Sequence, residues 1–197
     1  MTKNGRQLKD LSRADISLII PLHQASLADI GAILGSNYLS RFYNLLFSAP
    51  DHCLLGVFEK DKLIALLAGS FDLSKTHLKL AQLIKAREIL MIVINILYRK
   101  ISPGRIFERL QLEKFLFRKI KENSGGVAVL LVKDKYRRQG IGRWLIDEFF
   151  LRCRKRKINE VFVDTLESFP GASAFYQSSG FSILNSFGKT KLFYFKL

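Results

Sequence analysis

The chain has 197 residues, 48% of them hydrophobic, and its 32 Lys and Arg against 17 Asp and Glu give a net charge of +15. That apolar share excludes a disordered chain, and the length suits a single domain with a sizeable core. The cationic excess concentrates anions of any kind, yet it is dispersed over "KDKYRRQGIGR", "RCRKRK" and residues 99–121, so a solvated surface is the default reading. Cys53 and Cys153 make no disulfide or metal framework, and His23, His52 and His77 lack ligand spacing, so no metal is expected. "ILMIVINILY" from Ile89 to Tyr98 falls short of the ~20 residues that span a bilayer. The N-terminal stretch lacks the apolar run of a secretory signal. The expected location is cytoplasmic.

In chain order, "DISLIIPL" (residues 15–22) reads as a first strand. Ile30, Ile33 and Leu34, then Leu39, Phe42, Tyr43 and Leu46, recur at helical spacing; Gly35 and Ser36 divide that helix and Pro50 closes it. "CLLGVFEKDKLIALLAGSF" is a hairpin around Lys60, Asp61 and Lys62. Residues 73–124 change character. The pattern is helical from Lys79 to Lys100 and from Arg105 to Glu122, with Ser102 as N-cap and Pro103 at the first position of the second helix. Ile106, Leu110, Phe117 and Ile120 would form its apolar stripe. The segment reads as a helical hairpin inserted into one domain spanning residues 1–197. "GVAVLLV" is a buried strand, and Ile141, Leu145, Ile146, Phe149, Phe150 and Cys153 face a core from the next helix. "EVFVDTL" is another strand. "FPGASAFYQSSGF" is a short helix with Pro170 in its first turn and Gly180 as cap, and "SILNSFG" with "KLFYFKL" closes the chain as a hairpin.

Between "GVAVLLV" and its helix lies "YRRQGIG", residues 136–142. A glycine-bearing loop at the mouth of a helix exposes unpaired N–H groups at the positive end of the dipole, a preformed phosphate site. Gly140 and Gly142 do not block approach, and Arg137, Arg138 and Arg143 add charge. Glycines here are equally explained as conformational. The stretch alone leaves both readings open.

"LLVKDKYRRQGIGRWLI" followed by "PGASAFYQSSGF" resembles the acetyl-CoA core of the GCN5-related N-acetyltransferase (GNAT) family. The resemblance is specific over residues 126–182; over residues 15–71 it rests on the order of elements. It implies an α/β (α+β) fold with a central mixed, mostly antiparallel sheet, splayed fourth and fifth strands and flanking helices. Pantetheine would lie in the gap beside Leu130, Leu131 and Val132. The pyrophosphate would sit on N–H groups of Arg138, Gln139, Gly140, Ile141, Gly142 and Arg143, with Arg137 alongside. The N–H of Val132 would stabilise the oxyanion. Tyr176 matches the tyrosine that protonates the leaving thiolate, a phenol of pKa ~10 serving a thiol of pKa ~8.5; a plain core aromatic is the other reading of Tyr176.

Several positions depart from the family pattern. Phe169 stands where asparagine is frequent, Arg138 where glycine is common, and no acid lies within "GVAVLLV". Asp164 and Glu167 are candidate replacement bases, or holders of a cationic acceptor. Residues 73–124 would pack as helices on the domain, shape the acceptor site as a lid, form a dimer face, or touch an anionic membrane. The expected activity is transfer of acetyl from acetyl-CoA, the co-substrate, to a primary amine of a small-molecule acceptor by direct attack, with a lean towards amino sugars of surface polysaccharides. A homodimer is a further expectation and nucleic acid is not expected as a partner. The alternative is a basic module that binds nucleic acid or a membrane surface on an acetyltransferase-like fold, with little or no activity.

Overall fold

A computed structural model of the protein describes residues 2–3, 5–27, 29–99 and 101–197. Eight strands form one sheet: β1 (Thr2–Lys3), β2 (Arg6–Asp10), β3 (His52–Glu59), β4 (Lys62–Ser70), β5 (Ser124–Val132), β6 (Glu160–Leu166), β7 (Ser182–Phe187) and β8 (Thr190–Lys196). Their spatial order is β1-β2-β3-β4-β5-β6-β8-β7. Neighbours are antiparallel except β5 and β6, which run parallel. The helices are α1 (Ile16–Ser26), α2 (Ile30–Leu34), α3 (Ser36–Phe47), α4 (Leu73–Ala81), α5 (Ala86–Leu97), α6 (Pro103–Lys119), α7 (Ile141–Lys155) and α8 (Pro170–Ser178). The mixed, mostly antiparallel sheet is the expected one, and β5 and β6 are its expected fourth and fifth strands.

Residues 15–22 are a correction: they begin α1 instead of forming a strand. The run is apolar enough for either, but its buried members, Ile19, Leu22 and His23, follow helical spacing while Leu18 stays 44% exposed. Asp15 accepts from the backbone N–H and hydroxyl of Ser12 at 2.8 and 2.9 Å and so starts the turn. The strand that precedes α1, β2, buries only Leu8 and is held by backbone pairing to β3, so its hydrophobic signal is weak. The hairpin of β3 and β4 turns at Lys60 and Asp61 with φ of 47° and 61°, the left-handed pair that a two-residue hairpin requires. Gly35, at φ 87°, divides α2 from α3 as the sequence suggests.

Between β4 and β5 the expected two helices are three. Asp72 caps α4 by accepting from the Lys75 N–H at 3.0 Å, and Glu88 accepts from the Lys85 N–H at 3.1 Å to start α5. The expected stripe on α6 is also corrected. Leu110 and Phe117 are exposed, whereas Leu112 and Leu116 are buried with Phe162 and Leu192, and Phe115 and Ile120 pack around them. The sheet's register decides this, because α6 lies on β7 and β8 and only its 112/116 face meets them.

The two faces of the sheet bury separate cores. Leu54, Leu66, Ala68, Val129 and Leu131 meet α1 and α3. Leu55, Leu67 and Val127 meet α7 through Leu145, Ile146 and Phe149. Alternation along β4 sends consecutive residues to opposite helices. At Gly69 the α7 packing is so close that an added methyl would overlap the Phe149 ring. Gly69→Ala should therefore cost ~1–3 kcal/mol of unfolding free energy. In a Phe149→Leu background the same change should cost less, read by urea denaturation as a double-mutant cycle.

Candidate active site

The strands β5 and β6 pair only at Ser124 with Glu160, Gly125 with Val161 and Gly126 with Phe162. Beyond these three positions both strands continue unpaired with each other, so a gap opens towards their C-terminal ends. Two features set its origin. A methyl on Gly125 would press the Ser70 carbonyl at 2.9 Å, so the close approach at the closed end needs glycine. Directly after it the register of β4 on β5 shifts between Ala68 and Gly69, leaving Ala128 as the extra residue of a bulge. A bulge bends its strand and increases its twist, which swings β5 away from β6.

Which groups face the gap follows from one hydrogen bond. The Lys133 N–H donates to Ile64 O at 2.9 Å on the β4 side. Alternation along the strand turns Leu131 the same way and Leu130 and Val132 the opposite way, into the gap. Leu130 and Val132 are thus free to pair with an extended ligand. Leu131, also expected beside the cofactor, instead pairs its backbone with Leu66 and buries its side chain against α1 and α3. The Val132 carbonyl accepts from Arg137 Nε at 3.2 Å, so its N–H is the group left to the gap.

The gap ends at the loop of residues 133–140. Among the described residues no backbone N–H from Arg138 to Arg143 finds an acceptor, whereas the Trp144 N–H donates to Gly140 O at 2.9 Å. Six amides therefore cluster at the positive end of α7. The two glycines serve different ends. Gly140 has φ 77°, the left-handed conformation that costs glycine least. Gly142 is in the helix, and a Cβ there would stand 3.2 Å from the Phe175 ring of α8, so its absence lets α7 and α8 touch. The arginines also differ. Arg137 bridges Asp134 at 2.8 Å, and Arg143 bridges Asp147 at 2.8 Å while reaching Ser178 O at 3.3 Å. Arg138, at φ 59°, is exposed and makes no ion pair among the described residues. Ile141 buries its side chain and offers only its amide.

A brace that motif reading missed holds this loop. Tyr136 donates to Glu59 at 2.7 Å, Arg6 pairs with Glu59 at 2.9 Å, and Arg6 Nη2 donates to Gln139 Oε1 at 2.7 Å. The Tyr136 hydroxyl and then the Arg6 guanidinium hold the Glu59 carboxyl below its ordinary range. Gln139 is thereby tied to β2 and β3, and its amide also donates to Lys135 O at 3.0 Å. A signal existed only in the pairing of a hairpin-end acid with a loop tyrosine, which sequence spacing does not carry.

Tyr176 of α8 is 5% exposed and packs among the rings of Phe175, Phe181 and Phe193. It shares its core cluster with Leu130, Val132, Tyr136 and Ile141, so it stands on the α7 side of the gap. No hydrogen bond to its hydroxyl occurs among the described residues. Burial, with the Asp164 charge adding to it, raises its pKa far above that of a free phenol. Asp164 of β6 is held by Arg109 of α6 at 3.1 Å, and Glu167 lies exposed with Lys191 at 3.6 Å. Arg109 also pairs with Glu113, so α6 reaches the open end of β6. Phe169 occupies the N-cap of α8.

A cavity of about 530 Å³ opens at the other end of α7, between Asp10, His52, Cys53, Phe71, Arg152 and Arg156. Arg152 is spent there on Asp10 and Glu148, and burial pushes the Cys53 thiol up to about 11. It holds no ready nucleophile. Among the described residues no three His, Cys, Asp or Glu side chains are grouped to hold a metal ion. The splay with its amide-lined mouth is the better candidate.

Residues 111–183 match the family model of the GNAT acetyltransferase domain. Over this segment the chain is similar to the GNAT acetyltransferases, an acyltransferase family. GNAT folds also surround the whole chain in structure. The PaiA N-acetyltransferase of Thermoplasma acidophilum, solved with coenzyme A, superposes with a TM-score of 0.63 at 16% identity over 100% of both chains. The Arabidopsis thaliana NAA60 complex with a bisubstrate analogue gives 0.63 at 13% identity over 97% of each chain. The ribosomal-protein-S18-alanine N-acetyltransferase of Escherichia coli gives 0.60 at 12% identity, covering 97% of this chain and 93% of that one. At such identities the likeness establishes the GNAT fold and nothing narrower. No curated protein sequence matches the chain.

Tyr176 yields a pH test. A phenol whose folded-state pKa is raised contributes its stability in full below the unfolded value of ~10 and loses it as pH climbs towards the folded value. Tyr43, also raised by burial, acts in the same direction. The melting temperature should fall more steeply above pH ~10 in the parent than in Tyr176→Phe. Parallel curves would place Tyr176 in water.

Proposed function

We propose that the protein is an N-acetyltransferase of one domain with residues 73–124 inserted, using acetyl-CoA as co-substrate and acetylating a primary amine. The observation that carries this reading is the early end of β5–β6 pairing at Gly126, in line with six free amides at the α7 mouth. An extended pantetheine arm would satisfy the open backbone of Leu130 and Val132, which otherwise lacks a strand partner. The amides of Arg138, Gln139, Gly140, Ile141, Gly142 and Arg143 would take the pyrophosphate. Arg138 would add charge, and Arg137 would hold the loop closed against Val132.

In the reaction the amine nitrogen forms a bond to the thioester carbonyl carbon, and the carbon–sulfur bond breaks as the intermediate collapses. The Val132 N–H stabilises the oxyanion. Tyr176, protonated at neutral pH as any phenol is, donates its proton to the departing thiolate and takes one back from water before the next turnover. The amine's proton leaves to water or to Glu167, because Asp164 is committed to Arg109. The buried thiols of Cys53 and Cys153 suit a reducing cytoplasm. Among acceptors, the Escherichia coli neighbour acts by its description on a protein alanine, and amino sugars are the small-molecule class we favour here.

The purified chain with acetyl-CoA and a panel of amino sugars, spermidine and peptide α-amines, followed by thiol release, tests the proposal. Acetyl-CoA should also raise the melting temperature by mass action; no shift and no thiol release with any amine would overturn it. Tyr176→Phe should lower kcat by ~10²-fold or more and leave the acetyl-CoA shift intact. Tyr136→Phe, which loosens the loop without touching the reacting atoms, should instead raise KM for acetyl-CoA several-fold, by ~3–10, at nearly constant kcat.

A further inference from the structure

Helix α5 is built inside out. Its buried residues are Glu88 and Asn95, while Ile89, Leu90, Val93 and Leu97 stand 54, 59, 46 and 75% exposed. The polar pair faces inward for identifiable reasons. Glu88 pairs with Arg41 of α3, and Asn95 donates to Met91 O at 2.7 Å while its own carbonyl accepts from the Ile101 N–H. The pattern continues past the helix: Tyr98 is 75% exposed, Phe107 and Leu110 62%, and Phe117 79%. Scattered exposed apolar residues are ordinary, but a succession of them on one helical excursion marks a contact surface.

Charge identifies the partner. Residues 73–124 carry twelve Lys and Arg against four Asp and Glu, a surplus of eight out of the chain's +15. Two of the four acids are turned to the body, Glu88 to Arg41 and Glu108 to Thr190, and Glu113 is spent within the segment on His77 and Arg109. Lys85, Arg87, Arg99, Lys114, Arg118 and Lys119 are exposed and make no ion pair among the described residues. Exposed aliphatic and aromatic side chains, carried on the same helices as exposed cations that make no ion pair among the described residues, complement an anionic lipid surface. A second copy would bring like charges together. Among the described residues no helix is long and apolar enough to cross a membrane, so the contact lies in the plane of the interface.

We propose that helices α4–α6 seat the protein on an anionic bilayer, with the Leu97–Tyr98 end of the α5–α6 hairpin in the boundary between headgroups and acyl chains. This docking does not depend on the acetyl-transfer reading. Full-length protein should co-sediment with phosphatidylcholine vesicles containing ~30 mol% phosphatidylglycerol, not with phosphatidylcholine alone, and ~0.5 M salt should release most of it. The combined Leu90→Ser, Leu97→Ser and Tyr98→Ser variant should partition ~10-fold less or lower, with an unchanged melting temperature. If that variant unfolds, Lys114→Glu with Arg118→Glu reads the same contact through its charges and should weaken it comparably. Absence of binding to the anionic vesicles overturns the proposal, as does binding that both variants leave intact. A dimer by ultracentrifugation, abolished by the serine variant and without vesicle binding, would assign the face to a second copy instead.

Discussion

The arrangement rests on two strands that start together and part. Parallel neighbours in an α/β sheet ordinarily pair along their length, because each unpaired backbone group must find another partner. Here pairing stops at Gly126, and the bulge at Ala128 turns the rest of β5 away. The remaining edge stays half satisfied: β4 takes one side of β5, and Leu130 and Val132 present the other. A sheet with such an internal gap is stable because its two halves have their own cores. The β2–β5 half is sandwiched between α1 with α3 and α7, and the β6–β8 half is covered by α6 and shares the α7 core through Val161, Val163 and Phe193. The gap is then a feature that packing on either side tolerates, and it leads straight to the mouth of α7.

Much of this was legible in the sequence, and the reasons differ by element. "GVAVLLV", "EVFVDTL" and the α7 stripe could be read because burial on both faces, or on one helical face, leaves a strong periodic imprint. The loop could be read because Gly140 has a backbone conformation that few other residues adopt cheaply. Residues 15–22 misled because a short run of Ile and Leu satisfies either period, and only the Ser12–Asp15 cap distinguishes them. β2 was invisible because backbone hydrogen bonds, to which sequence is blind, hold it. On α6 the exposed residues Leu110 and Phe117 imitate a core stripe, so hydrophobicity named the wrong face.

Within the candidate site the limits were geometric. The family resemblance singled out Tyr176 and Val132, and residue type singled out the arginines, but not which arginine is already spent. Arg137 and Arg143 are occupied by neighbouring aspartates and carbonyls, and Arg138 stands apart. Nor could spacing reveal that Glu59, at the far end of the β3–β4 hairpin, anchors Tyr136, or that Arg109 from α6 holds Asp164. Both are contacts between segments distant in the chain, set by tertiary packing.

The touch between Gly142 and Phe175 has a consequence of its own. It keys the first turn of α7 directly onto the short helix that carries Tyr176, one residue along from Phe175. The unpaired amides at the α7 mouth and the buried phenol are therefore linked through a single helix-to-helix contact. A side chain at position 142 would have to push the two helices apart, and the spacing between those amides and the phenol would change with it.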